Sequence, residues 1–254
     1  MKKVLRCCGC TMAPVRPKPA GTGTRTTLEE SFAQIRRLGF QPKTVIDVGV
    51  ARGTPGLYRT FPGSYFLLIE PLEQFESDLK SILLKYNGSY VMVAAGSRSG
   101  DVAFNVHENH LGGSSLYKES MGPQADGHAL EVPMRRLDDL LRDKQLTGPY
   151  LMKIDVQGAE LDVLEGAQEA MKETEVIALE VSMFEFMTGA PQFSQVIAYM
   201  KDHGFVAYDI VIGWNRPLDG ALGQADVVFV KDNGMFRKNH SFAAAEQATA
   251  IMGH

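Results

Sequence analysis

Apolar residues along the chain form short continuous runs that alternate with segments of helical spacing. The runs lie at 45–48, 65–69, 90–94, 150–156, 176–181, 206–212 and 227–230. The helical segments lie near 28–38, 56–61, 74–86, 137–145, 160–171 and 192–203. Strands that are apolar without alternation are buried on both faces, and their repetition with helices is typical of a parallel sheet covered by helices. The pattern predicts an α/β fold.

Two regions depart from this rhythm. The segment 101–110 alternates apolar and polar residues, and with 129–137 it predicts an extra hairpin after the third strand, joined by a long loop. The last two strands, 206–212 and 227–230, have no helix between them and are therefore expected to be antiparallel. We predict a mostly parallel seven-stranded sheet with an antiparallel last strand and helices on both faces.

The ends of the chain differ from the middle. Residues 1–27 are rich in Pro, Gly and Thr, and the chain's three cysteines, Cys7, Cys8 and Cys10, all lie there. We expect a disordered basic tail over 1–27, one domain over 28–232 and a C-terminal tail over 233–254. The cysteines leave a metal-binding or lipidated cluster as alternatives to a plain tail.

The charge distribution narrows the classes of partner. Residues 1–25 contain six basic and no acidic side chains, so the rest of the chain carries 20 basic against 30 acidic side chains. A surface this acidic repels phosphate backbones, which argues against a nucleic-acid substrate. No apolar run reaches the length of a membrane span, and the absence of core cysteines suits a reducing cytoplasm. The sequence does not indicate an oligomeric state.

The first predicted strand ends in a glycine loop, "VIDVGVARG", which contains Asp47, Gly49 and Gly53. In open parallel sheets ligands bind outside the carboxyl ends of the strands. A dinucleotide loop presents bare backbone amides to a pyrophosphate, whereas here a carboxylate stands at the loop and Pro55 removes one amide. A cationic cofactor such as S-adenosylmethionine, with its ammonium and sulfonium, suits the carboxylate better. An NAD-dependent oxidoreductase is the alternative.

A second acid, Glu70, ends the next strand and lies 23 residues after Asp47. This is the place for a carboxylate that accepts hydrogen bonds from both ribose hydroxyls of a nucleoside cofactor. Because NAD and S-adenosylmethionine both contain that ribose, Glu70 supports nucleotide binding without separating the two cofactors.

The fourth long strand carries charges in "KIDVQGAE", where Lys153 and Asp155 point to the same side. Buried charges are costly unless they are paired. Asp155 is expected beside Asp47, with Lys153 or a cationic cofactor between them, and Glu180 is a further partner for Lys153. Three interpretations remain open: a site for a cationic cofactor with one acid as general base, a divalent metal held by carboxylates, or a structural ion pair.

The sequence resembles the FkbM-family methyltransferases, within the class I S-adenosylmethionine-dependent group. The residues that carry the resemblance come in the family's order over about 44–230. They are "VIDVGVARG", "IEP", "VAAGSRSGDVAF", "GGSSL", "RLDDLL", "LMKIDVQGAELDVLEGA" and "IALEVS". Two departures are Gln157, where the family commonly has an acid, and the loop residues 50–52. The resemblance implies the Rossmann-like class I methyltransferase fold.

The resemblance also implies methyl transfer from S-adenosylmethionine to a hydroxyl oxygen of a small molecule such as a sugar, lipid or secondary metabolite. Such an acceptor needs a general base, for which Asp155 is the first candidate, followed by His107 and His110 from the long loop. Ser114 and Ser115 are candidates for the acceptor side. No metal ligand is assigned. A catalytically silent methyltransferase-like module, favoured by Gln157 and the altered loop, is a further alternative.

Overall fold

The computed structural model describes residues 23–252, without the side chains of 249–252, so Cys7, Cys8 and Cys10 lie outside the described residues. The helices are α1 (Leu28–Arg37), α2 (Pro55–Thr60), α3 (Glu76–Leu83), α4 (Leu137–Asp143), α5 (Glu160–Glu165), α6 (Gln168–Lys172), α7 (Phe193–Asp202) and α8 (Ala245–Met252). The strands are β1 (Thr44–Val48), β2 (Tyr65–Ile69), β3 (Gly88–Val91), β4 (Ala94–Ala95), β5 (Gly100–Val106), β6 (His128–Arg135), β7 (Tyr150–Ile154), β8 (Thr174–Ser182), β9 (Phe205–Ile212) and β10 (Gln224–Lys231).

The main sheet has seven strands in the order β3-β2-β1-β7-β8-β10-β9. The pairs from β3 to β8 are parallel, and β10 runs antiparallel to both of its neighbours. The predicted seven-stranded sheet with an antiparallel last strand is therefore confirmed. The strand order reverses beside β1, which leaves a crevice at the carboxyl ends of β1 and β7, where ligands bind in such sheets.

The core lies on both faces of this sheet, as the continuous apolar runs predict. Alternate residues of each strand face opposite sides, so Val45 and Leu151 pack with α1, α2 and α3, whereas Ile46 and Met152 pack with α4 to α7. Asp47 and Lys153 follow Val45 and Leu151 at a spacing of two. Both charged side chains therefore lie on the α1–α2 side of the sheet.

The predicted extra hairpin forms a second sheet with the order β4-β6-β5, in which β5 and β6 are antiparallel. The strand expected over 90–94 is split, because the chain leaves the main sheet after Val91 and joins the second sheet at Ala94. The helix expected over 160–171 is also split. A Cβ atom on Gly166 would lie 2.1 Å from the carbonyl oxygen of Gly96, so α5 ends where the backbone approaches the second sheet.

The long loop after β5 packs on the segment after β8. Glu119 forms an antiparallel bridge with Met187, and the backbone of Ser120 donates to the carbonyl of Phe186. Beyond the predicted domain end at 232, the ring of Phe236 packs edge-on to Phe40, with the centroids 5.9 Å apart. Within residues 23–252, no helix combines the length and apolar character that crossing a membrane requires.

Candidate active site

A crevice with two arms opens at the carboxyl ends of β1, β2 and β7. The narrow arm lies over Glu70 at the end of β2, and the wide arm, a cavity of about 780 Å³, lies over Lys153, Glu180 and Asp226. Both arms share six lining residues, namely Gly49, Ala51, Phe75, Leu111, Gly112 and Asp155. The arms therefore meet at the glycine loop and the end of β7, where sequence analysis placed the site.

The glycine loop is held against β7 by a close backbone approach. Gly49 has φ +73°, and a Cβ atom there would lie 1.8 Å from the carbonyl oxygen of Asp155. Gly53 has φ +98°, and Ala51 between them takes the left-handed conformation at φ +45°, which is unusual for a residue with a side chain. Arg52 is exposed at the wide arm. The altered residues 50–52 still form a tight loop.

Glu70 ties the glycine loop to the end of β2. Its Oε2 accepts from the backbone N–H of Ala51 at 2.9 Å, and its Oε1 accepts from Leu72 N–H at 3.1 Å. The side chain is 4 % exposed, and burial raises its pKa although both backbone donors oppose this rise. Each carboxylate oxygen can accept a further bond. Glu70 thus faces the narrow arm with unused acceptor capacity.

Asp47 lies behind the loop and is fully buried. Its Oδ2 accepts from the Tyr58 hydroxyl at 2.5 Å, and its Oδ1 has no hydrogen-bond partner among the described residues. The nearest cation to Oδ1 is Lys153, whose Nζ lies 3.8 Å away. Burial raises the pKa of Asp47, and the charge of Lys153 offsets part of that rise. Asp47 braces α2 and the loop from beneath.

Lys153 is the cation between the two acids. Its Nζ lies 3.1 Å from Oδ2 of Asp155 as well as 3.8 Å from Asp47, and its side chain is 8 % exposed. Burial lowers the pKa of Lys153, but Asp155 and Asp47 together outweigh burial and leave it raised. Lys153 therefore pairs with Asp155, which lies two residues further along the chain just after β7, and not with Glu180 as expected.

The wide arm carries carboxylates from three adjacent strands. Asp155 follows β7, Glu180 lies near the end of β8, and Asp226 lies opposite Glu180 near the start of β10. Burial, together with the charge of Asp155, raises the pKa of Asp226 to about 6 and also raises that of Glu180. The Nε2 amide of Gln157 donates to Oδ1 of Asp155 at 2.9 Å and to Oε2 of Glu180 at 2.7 Å.

Asp226 and Gln157 are the site residues that sequence analysis did not assign. Asp226 lies at the start of its strand, and because β10 is antiparallel, that start lies at the crevice edge. In the sequence, the feature that could have identified Asp226 is its position as a charged residue directly before the apolar run at 227–230. The signal for Gln157 is its position two residues after Asp155, in a turn where it adopts φ +55°.

Glu160 closes the turn after β7. Its Oε1 accepts from the backbone N–H groups of Val156 and Gly158, both at 3.1 Å. The side chain is 4 % exposed, and burial raises its pKa to about 7 in spite of these two donors. Glu160 therefore holds the backbone that carries Asp155 and Gln157.

The four loop candidates lie at different distances from the crevice. His110 lines the wide arm, whereas His107 faces Asn105 at 3.2 Å and Glu119 at 3.5 Å. Ser114 lines the narrow arm, and its Oγ accepts from the backbone N–H of His107. Ser115 is fully buried and donates to the carbonyl oxygen of Gln157 at 2.7 Å. The structure thus brings His110 and Ser114 to the crevice and places the other two behind it.

In the part of the chain that the structure describes, no group of three or more His, Cys, Asp or Glu side chains is arranged to hold a metal ion.

The methyltransferase FkbM domain model matches residues 47–207, well over half of the chain. The chain belongs to the FkbM methyltransferase family. The match begins at Asp47 and includes the glycine loop, Glu70, "KIDVQGAE" and Glu180, so it contains most of the crevice. The family resemblance stated from the motifs is confirmed. The sheet described above is the expected Rossmann-like class I methyltransferase fold.

Relatives of this FkbM domain are distant. It is 28% identical over 145 residues to a protein named Methyltransferase 1 from Beauveria bassiana, over 49% of this chain and 58% of that protein. The chain thus spans under two thirds of that relative. A SAM-dependent methyltransferase from Agrobacterium tumefaciens is 8% identical, with a TM-score of 0.45 over 80% of this chain and 60% of that chain. An rRNA methylase from Streptococcus thermophilus is 12% identical, with a TM-score of 0.44 over 80% of this chain and 93% of that chain.

S-adenosylmethionine, the cofactor expected from the sequence, is the cofactor of this family. The crevice fits it in three respects. Glu70 faces the narrow arm with free acceptor capacity, and Gly49 leaves the backbone bare where the arms meet. Asp47, with one buried oxygen that no donor within residues 23–248 satisfies, places negative charge beneath the loop. These features suit a ligand with ribose hydroxyls and positive charge.

Proposed function

We propose that this chain transfers a methyl group from S-adenosylmethionine to the hydroxyl oxygen of a small molecule such as a sugar, lipid or secondary metabolite. The observation that carries the proposal is the meeting of the two arms at Gly49 and Asp155. A cofactor in one arm and an acceptor in the other then face each other across one carboxylate. Alignment of two reactants in this way is the main contribution of an enzyme to a displacement reaction.

In this proposal the narrow arm holds the nucleoside part of the cofactor. Glu70 accepts hydrogen bonds from the ribose hydroxyls, and Gly49 and Gly53 allow the backbone to approach the methionine part. When bound, S-adenosylmethionine supplies an electrophilic methyl group on a sulfonium. Asp47 contributes through the loop, because it braces Tyr58 and Lys153 from beneath and does not line the crevice wall.

The wide arm receives the acceptor. Its volume of about 780 Å³ lies within the range of roughly 300–1,000 Å³ that is usual for small-molecule sites. Asp155, Glu180 and Asp226 line it, so it repels phosphate and accepts hydroxyl donors. This lining supports a small neutral or cationic acceptor and argues against nucleic acid.

Asp155 is the proposed general base. It lies where the arms meet, its side chain is 29% exposed, and Lys153 and Gln157 fix both of its oxygens. The acceptor hydroxyl donates to this carboxylate and loses its proton to it as the oxygen attacks. His110, at the rim of the wide arm, is the second candidate. His107, which faces Glu119, would act through the loop.

Calorimetric titration with S-adenosylmethionine, S-adenosylhomocysteine and NADH tests the cofactor. We expect both adenosyl ligands to bind and NADH not to bind; NADH binding alone would indicate an oxidoreductase. A screen of hydroxylated acceptors with labelled methyl donor then tests the reaction. Adenosyl binding without transfer to any acceptor class would favour a catalytically silent module.

A further inference from the structure

Gln157 joins the two carboxylates on the wall of the wide arm. Its Nε2 lies 2.9 Å from Oδ1 of Asp155 and 2.7 Å from Oε2 of Glu180, so one amide nitrogen donates one proton to each. An amide donates only through its nitrogen, and the Gln157 nitrogen faces an acceptor oxygen of each acid. Gln157 thus occupies the point between two carboxyl groups.

The backbone of Gln157 is built for this position. Its φ of +55° is unusual for a residue with a side chain, and its carbonyl oxygen accepts from the buried hydroxyl of Ser115 at 2.7 Å. The neighbouring turn is closed by Glu160, which accepts from the backbone N–H groups on both sides of Gln157. The surrounding structure holds a strained residue in place, as is common at functional sites.

We propose that Gln157 is a positioning residue that takes the place of a divalent cation between Asp155 and Glu180, so that the active site keeps these two carboxylates together without a metal. The contribution of Gln157 to catalysis rests on the proposed function, whereas its role in holding the two carboxylates together does not. The amide supplies two donors without charge, and it leaves one oxygen of Asp155 to Lys153. A negatively charged residue at 157 would put a third carboxylate between the first two.

The charges that surround this pair come from every adjacent element. Lys153 on β7 is the cation nearest to Asp155, and Asp47 on β1 lies on the far side of Lys153. Asp226 on β10 and Glu160 on α5 add negative charge that reaches Glu180. The groups facing the pair are thus three further acids and one lysine. With this excess of acid, the two donors of Gln157 matter most when both carboxylates are ionised.

Mn²⁺ titration by calorimetry tests the proposal without any acceptor. Mn²⁺ prefers carboxylate oxygens, so the variant Gln157→Glu should bind one Mn²⁺ per chain at least tenfold more tightly than the wild type. The exposed variant Gln124→Glu adds the same charge elsewhere and should match the wild type. Equal Mn²⁺ affinity in wild type and Gln157→Glu would overturn the proposal. If Gln157→Glu unfolds without metal, Mn²⁺ should restore its folding; failure with Mn²⁺ present also overturns it.

A second variant, Gln157→Met, keeps the length of the side chain and removes both donors. Its melting temperature should fall further below the wild type at pH 10 than at pH 7, because burial and the neighbouring acids raise the pKa of Glu180 to about 9 and a protonated Glu180 needs its donor less. An equal fall at both pH values indicates simple packing and contradicts the proposal. If the wild type does not bind S-adenosylmethionine or S-adenosylhomocysteine, the proposed function is refuted, but the measurements on Gln157 still stand.

Discussion

Lys153 and Asp47 occupy paired positions on the neighbouring parallel strands β7 and β1, with Nζ of the lysine 3.8 Å from Oδ1 of the aspartate. Both side chains are buried, and Oδ1 has no hydrogen bond among the described residues. The ion pair is therefore the main compensation for that oxygen. Lys153 also holds Asp155 at the crevice wall, so a single buried cation links the brace under the glycine loop to the proposed base.

Replacing Lys153 by methionine should destabilise the protein by about 3 kcal/mol or more, because it leaves two acids without their cation. The pKa of Lys153 lies above its ordinary value of 10.5, so the lysine stays charged below that pH and its contribution is lost only above it. Chemical denaturation measures the change. Lys172→Met, which removes a cation from an exposed pair with Glu169, should have little effect. Equal losses in both variants would contradict the role of Lys153.

Replacing Glu70 by glutamine should weaken S-adenosylhomocysteine binding tenfold or more. The amide keeps one acceptor oxygen but turns its nitrogen toward a backbone N–H of Ala51 or Leu72, which also costs about 1–3 kcal/mol of stability. Calorimetry gives the affinity and denaturation gives the stability. The exposed Glu73→Gln variant, three residues away, is the control. Unchanged affinity in Glu70→Gln would mean that this carboxylate does not hold the ribose.

Replacing Asp155 by asparagine should preserve the fold and adenosyl binding but reduce turnover at least a hundredfold, the usual scale for a general base. The variant keeps the size of the side chain, and Lys153 retains Asp47 as a partner. Single-turnover transfer of labelled methyl to an acceptor from the screen measures the loss. A variant that unfolds, or one that turns over normally, would assign Asp155 a structural role instead.

The sheet could be predicted from sequence because its central strands β1, β2 and β7 are buried on both faces and their apolar runs are continuous. Asp47, Glu70 and Asp155 could be placed because each lies at or just after the end of a parallel strand, and such ends meet at one edge. The same rule does not identify Asp226. Its strand is antiparallel, so its beginning lies at that edge.

The other differences between the predicted and the observed structure arise where backbone geometry, and not the hydrophobic pattern, decides the conformation. The run at 90–94 is apolar without interruption although the chain changes sheets after Val91, so periodicity carries no sign of the split. The helix break at Gly166 depends on contact with Gly96, which is distant in sequence. Gln157 was recognised as a departure from the family, but its two hydrogen bonds depend on a turn whose shape follows only from the structure.

Glu160 predicts a specific pH dependence. Burial raises its pKa from 4.5 to about 7, so between these values the folded protein keeps a proton that the unfolded chain has released. The free energy of unfolding should therefore fall as pH rises through this window, by up to about 3 kcal/mol. Below pH 4.5 both states are protonated, and this contribution disappears.

Comparison with Glu160→Gln isolates the effect. Glutamine retains an acceptor oxygen for Val156 and Gly158 but cannot ionise, so the stability of the wild type relative to this variant should decrease from pH 4.5 to pH 7. The other buried acids are present in both proteins, so their contributions largely cancel in the difference. Denaturation midpoints at several pH values give the curve, with the exposed Glu131→Gln as control. A difference that stays constant with pH would show that Glu160 is ionised in the folded protein throughout the range. The two backbone donors would then outweigh the cost of its burial.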